Sequence, residues 1–263
     1  MYPVYSIAKP FLAHAVLELA LPLDASVGEF VPGLSSIYAS RSIGQLLNHT
    51  SGLSDYSKLT DYGYAVANSL PAWSRDDLLV RTLALPHDIK GFSYSNIGYL
   101  LLRMAVENQT GKALFGALEQ LVFKPLGIHG FEEWEQESSL VPNYDPKWVY
   151  SGTFLASERS ILDGFAKLVQ HRSAKAGLEV LSVEVDFEKT GFDYPTYGVG
   201  LMMDQAPSES QPKFVGHGGG GPGYSHMILM HVETSQTAIE TSVKEFNQSE
   251  AITRLREKLT AKR

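Results

Sequence analysis

Tyr5-Ser6-Ile7-Ala8-Lys9-Pro10-Phe11 places a serine and a lysine three residues apart at the head of an apolar run. Residues i and i+3 share one face of a helix. An amine can therefore reach a hydroxyl at the positive end of that helix. A serine hydroxyl attacks carbonyl carbon only when a base takes its proton. Lysine can be that base if burial or a neighbouring cation lowers its pKa. By itself the pattern also describes a capping Ser6 followed by a solvated Lys9, the commoner arrangement. The same spacing recurs at Ser210-Gln211-Pro212-Lys213, where Pro212 denies a helix interior and the surroundings read as a loop.

Two later stretches add chemistry. Tyr94-Ser95-Asn96 precedes an apolar helical run. A phenol there sits near a helix N-terminus, which favours the phenolate, and could pass a proton between nucleophile and leaving group. Asn96 brings an amide that donates and accepts. A packed tyrosine followed by a capping Ser95 fits the tripeptide as well. The third stretch runs from Gly216 to Gly223, with six glycines in eight residues between β-like segments. Packing cannot explain this composition, on this reading; close approach of a ligand to bare backbone does. An N–H at such an edge can stabilise an oxyanion. Residues 216–221 also satisfy G-x-G-x-x-G, but Pro222 follows, no helix opens and no βαβ unit surrounds them, so a dinucleotide site is rejected.

The 263 residues can bury a large core. With 44% hydrophobic and 19% charged residues the composition is that of a globular protein, and a net charge of −7 argues against nucleic acid and anionic membranes as partners. No apolar run reaches the length of a membrane span. The start lacks a basic region and a long apolar core, so no signal peptide is expected, and the expected location is cytoplasmic. Zero cysteines exclude disulfides and a cysteine nucleophile. There is no G-x-S-x-G elbow, no H-E-x-x-H and no compact His/Asp cluster for a metal. His14, His49, His226 and His231 read as structural.

Periodicity predicts a helix over 6–20, a short helix over 41–49 capped by Ser42 and stopped near Gly52, and an irregular surface loop over 54–73. Further helices are expected after Ser74, over about 97–107 with Gly111 as its stop, over 113–123, and over 158–171. Residues 132–157 read as irregular. Strand-like segments follow at 197–203, 214–215, 227–232 and 237–243, and a helix at 250–259 closes the chain. Helices in the middle and strands late give an α/β (α+β) class: one domain over 1–263, mostly helical over about 21–155 and sheet-forming over about 175–263.

The order of the three chemical stretches resembles the serine β-lactamase-related family, in particular the branch of class C β-lactamases, D-Ala-D-Ala carboxypeptidases, D-aminopeptidases and family VIII esterases. Leu46-Leu47-Asn48-His49-Thr50-Ser51-Gly52-Leu53, Phe92 to Tyr99, Phe123-Lys124-Pro125-Leu126-Gly127 and Gly152-Thr153-Phe154-Leu155-Ala156-Ser157 are similar to stretches typical of that branch. The resemblance implies a β-lactamase/transpeptidase-like fold, an antiparallel sheet flanked by helices. It implies Ser6 as nucleophile, Lys9 as its base, and Tyr94 sharing proton transfer. It implies Asn96 holding Lys9 or the substrate amide, and His217 on the strand lining the cleft. The backbone N–H groups of Ser6 and of Gly220, which follows Gly219, would form the oxyanion hole. Small esters, amides or peptides would be the substrates, with no metal or cofactor; a non-catalytic penicillin-recognising or scaffold homologue with weak or no turnover is the alternative.

Two departures set further expectations. Only five residues precede Ser6, so the N-terminal strands of relatives are expected to be missing, and an exposed sheet edge is expected, covered by another subunit or by the final helix. His217 stands where many relatives carry lysine; a mostly neutral imidazole suits a substrate carboxylate less than a fixed cation does, so esters or neutral amides are expected to be preferred over β-lactams.

Overall fold

The computed structural model describes residues 1–134, 141–175, 178, 181–185, 190–243 and 246–261. The part of the irregular 132–157 segment at 135–140 lies outside the described residues.

The sequence's late apolar runs pair into a six-stranded antiparallel sheet. Its strands, in spatial order, are β4 (Val183–Glu184), β5 (Pro195–Gly198), β6 (Leu201–Asp204), β7 (Phe214–Gly221), β8 (Tyr224–His231) and β9 (Gln236–Ser242). The run Met227-Ile228-Leu229-Met230 is apolar at every position because both faces are covered. Ile228 and Met230 join Val215, Leu201 and Met203 in the main core. Met227 and Leu229 join Phe214 and Ala238 against Ala251, Ile252 and Leu255 of the final helix, α9 (Gln248–Thr260). Asn247 caps α9 by accepting from the Glu250 N–H.

The main core is closed by α1 (Ala8–Glu18), α6 (Asn96–Thr110) and α8 (Glu158–Lys175), with shorter helices around them: α2 (Ser36–Ala39), α3 (Ile43–Leu47), α4 (Thr60–Ala67), α5 (Arg75–Thr82) and α7 (Leu114–Leu118). Ser42 and Ser74 cap α3 and α5 through side-chain oxygens, and Gly111 ends α6 in the left-handed region at φ 65°. A second, small sheet joins β1 (Tyr2–Pro3) to β3 (Leu155–Ala156) and β3 to β2 (Phe131–Glu132). No helix among the described residues is long and apolar enough to cross a membrane.

Several local expectations change. Residues 54–73 are not one loop: α4 lies within them, with Ala65 buried and Tyr62 and Val66 packed on the core. The 197–203 segment is a hairpin, β5 and β6, turning at Val199 and Gly200 with φ of 44° and 78°. α3 stops at Leu47, and the left-handed residue that follows is His49, φ 59°. Gly52 is also left-handed, but it serves the next loop, where a side chain would press on the Asp88–Ile89 backbone. The final helix lies on a face of the sheet, not on its edge, and β9 has no second strand partner among the described residues.

The glycine run is largely explained by packing, contrary to its reading as a ligand contact alone. Residues 214–221 form one long strand, and the turn that carries Ser6 lies on it. A Cβ on Gly219 would overlap the Val4 carbonyl oxygen, and one on Gly221 would overlap the Tyr5 ring. Gly219→Ala is therefore expected to cost about 1–3 kcal/mol of stability, read as a lower denaturant midpoint at unchanged m-value. An unchanged midpoint would mean the turn yields freely.

Candidate active site

Ser6 sits in a 3-10 turn, Tyr5–Ile7, immediately before α1. Tyr5 is left-handed at φ 48°, a conformation costly for a residue with a bulky side chain. Its surroundings hold it there: its N–H donates to Thr153 Oγ1 at 3.0 Å and its phenol donates to the Pro222 carbonyl. Val4 N–H donates to Phe154 O at 2.9 Å. The nucleophile candidate is thus fixed from the small sheet on one side and the β7–β8 turn on the other.

The structure brings Ser6, Lys9, Tyr94 and Asn96 together. Lys9 Nζ lies 2.8 Å from Ser6 Oγ, 2.7 Å from Asn96 Oδ1 and 3.3 Å from Ser151 Oγ. Tyr94 donates its phenolic proton to Ser6 Oγ at 3.0 Å. Lys9 is only 1% exposed, and its amine is flanked by the rings of Tyr94 and Tyr99. Burial lowers its pKa to about 7, against the opposing pull of Asp55. A large fraction of Lys9 is therefore a free amine at neutral pH. The same burial acts oppositely on Tyr94, pushing its pKa up, so the phenolate expected from the helix N-terminus does not form at neutral pH. Of the two groups on the Ser6 hydroxyl, the Lys9 amine is the one able to take up a proton near neutral pH, and the Tyr94 phenol keeps its own. Two groups on one hydroxyl, an amine and a phenol, can strip, hold and return a proton during acyl transfer.

His217 lies on β7 beside the cleft, but its ring turns inward. Nδ1 is 2.6 Å from Gly218 O, Nε2 is 3.1 Å from the Tyr197 hydroxyl, and the side chain is buried. Burial, helped by the nearby Lys9, pushes its pKa down to about 3, so the imidazole is neutral. Gly219 packs under the Ser6 turn, while Gly220 faces open space with only Ser225 Oγ near where a Cβ would lie. The cleft that holds Ser6 and Tyr94 has a volume of about 600 Å³ and is walled by Phe92, Tyr197, Met202, the glycine strand and residues 246–249 at the head of α9. The described residues lining it include no Lys, Arg, Asp or Glu.

Four participants were not singled out by sequence reasoning. Ser151 contacts the lysine amine, and its only signal is its place just before the Gly152–Ser157 stretch. Asp55 accepts from the Asn96 N–H, so it caps α6 from a distant loop. Tyr197 holds His217, and Gln248 packs against Gly218. His49 packs against Tyr94 with ring centroids 4.3 Å apart and the rings tilted by 37°, and is kept neutral by burial, consistent with a structural part.

Known proteins share this arrangement of fold and chain. The chain is 25% identical over 288 residues to penicillin-binding protein 4* of Bacillus subtilis (strain 168), covering 93% of this chain and 61% of that protein. It is 33% identical over 168 residues to esterase EstB of Burkholderia gladioli, covering 55% of this chain and 42% of the esterase. The chain thus spans about three fifths or less of the length of these two relatives. Among solved structures, a D-stereospecific amidohydrolase from Streptomyces sp. superposes with a TM-score of 0.71 at 24% identity, over 91% of this chain and 81% of the other; the fold is that of the β-lactamase/transpeptidase group. The Beta-lactamase family model matches residues 1–259, nearly the whole sequence around the Ser6–Lys9–Tyr94 cluster, and the chain belongs to that family.

Proposed function

We propose that this protein is a serine hydrolase that cleaves esters or uncharged amides through an acyl-serine intermediate. The observation that carries the reading is a buried lysine amine, its pKa lowered by desolvation, 2.8 Å from a serine hydroxyl that also accepts from Tyr94. Lys9 takes the proton of Ser6 as Oγ bonds to the substrate carbonyl carbon. The carbonyl oxygen becomes an oxyanion facing the N–H groups of Ser6 and Gly220. The intermediate collapses, the alcohol or amine leaves, and it takes a proton delivered from Lys9 by way of Tyr94. Water then attacks the acyl-serine with Lys9 again accepting the proton, which releases the acid and restores Ser6. Asn96 and Ser151 keep the lysine amine directed at the hydroxyl. Residues 1–263 act as one unit in this scheme, with the cleft between the helical part and the sheet. A second subunit pairing with the free edge of β9 would complete the sheet.

The neutral His217 and the lack of Lys, Arg, Asp and Glu among the described lining residues support substrates without a carboxylate next to the scissile bond. Hydrolysis of p-nitrophenyl acetate is expected to exceed that of a chromogenic cephalosporin by at least about tenfold in kcat/KM, the worth of roughly one lost charged contact. A faster cephalosporin rate would overturn the substrate preference. Stoichiometric acylation without turnover would favour a penicillin-recognising homologue.

A further inference from the structure

Away from the cleft, α1 and α8 bring three metal-ligating side chains to one point. His14 and Glu18 are one helical turn apart on α1, so they share a face. His171 reaches them from α8. His14 Nε2 lies 3.5 Å from Glu18 Oε1, and His171 Nε2 lies 3.7 Å from the same oxygen. One donor atom from each of the three falls within 4.8 Å of the others. The two imidazole rings meet edge to face, at 87° and 5.2 Å.

Ligands about 2.0–2.1 Å from a tetrahedral ion stand about 3.4 Å apart. Two edges of this triangle are already within a few tenths of an ångström of that spacing. Two imidazole nitrogens and one carboxylate oxygen suit zinc and its first-row neighbours rather than calcium or magnesium, which take oxygen sets. His14 is buried, whereas Glu18 and His171 keep 25% and 38% of their side-chain surface exposed, so an ion can enter and water can fill a fourth position. Arg172, next to His171 along the chain, donates to Val199 O at 2.8 Å. The cluster stands about 140° round α1 from Lys9, five residues on at about 100° each, so it is separate from the lysine amine.

We propose that His14, Glu18 and His171 form a binding site for a divalent transition metal, with zinc as the preferred ion, that ties α1 to α8. Neither the acyl-transfer chemistry nor the choice of substrate depends on it.

The test uses the full chain stripped with a chelator and titrated with zinc chloride. Zinc at 100 times its Kd is expected to raise Tm by about 5 °C, and magnesium chloride to leave it unchanged. Cobalt(II) is expected to give the intense visible absorption of a four-coordinate ion. His171→Ala and Glu18→Gln change partly exposed side chains; each is expected to abolish both responses while the metal-free rate on p-nitrophenyl acetate stays at the wild-type value. No zinc-dependent shift, or a shift equally large in His171→Ala, would overturn the proposal, as would an equal response to magnesium.

Discussion

Ser6→Ala is expected to lower kcat for p-nitrophenyl acetate by at least about 10,000-fold. The nucleophile has no understudy: Ser151 Oγ is near the lysine amine but more distant than Ser6 Oγ, at 3.3 Å against 2.8 Å. The side chain removed is small and lies in an open cleft, so Tm should change little. A fluorophosphonate probe should add its mass to the wild type and not to the variant. Retention of the adduct in Ser6→Ala would show that another hydroxyl reacts, and Ser151 would then be the first to replace.

Lys9→Arg is expected to cost about 100- to 10,000-fold in kcat, although it keeps a nitrogen cation at the position. A guanidinium does not give up its proton in this pH range, so it cannot serve as a base. The wild type carries a matching pH signature. With the Lys9 pKa near 7, kcat/KM should fall about tenfold per pH unit below pH 7 and level off above it. Stability follows the same group. The folded pKa lies below the ordinary lysine value of 10.5, so between about pH 7 and 10.5 the unfolded chain holds one more proton than the folded one. Stability therefore rises with pH through that window, by at most about 1.4 kcal/mol per unit from this group. Lys9→Met should flatten that slope while abolishing activity. A wild-type rate that stays flat down to pH 5 would remove Lys9 as the base.

The site was legible in the sequence where its residues are close along the chain. Ser6 and Lys9 stand at helical spacing, but only the order of the three stretches set that pair apart from a capping serine and a solvated lysine, and the helix after Tyr94 announced itself through its apolar stripe and Gly111. What the spacing could not show is which environment wins. A helix N-terminus favours a phenolate, but the desolvation of the half-buried Tyr94 by the protein around it outweighs that, and desolvation is a property of the whole fold. Asp55 was invisible because capping across 41 residues leaves no local pattern. α4 was lost among tyrosines because its buried face is short, only Ala65 being fully covered. The two-residue strands β1, β2 and β3 carry no periodicity at all. The metal-ligand triangle escaped because one corner, His171, is some 150 residues from the other two.

The contacts that hold the Ser6 turn reach almost the full length of the chain. Tyr2 pairs with Ala156, Tyr5 donates to Pro222, and the Pro3 carbonyl meets His226. Such distant contacts form late, since long loops must close before any of them contributes. During synthesis the serine and lysine are made more than 200 residues ahead of β8. Until it docks, Lys9 is in water and fully protonated, and Ser6 is an ordinary alcohol. The nascent chain is chemically silent, and reactivity is acquired in the closing step of folding.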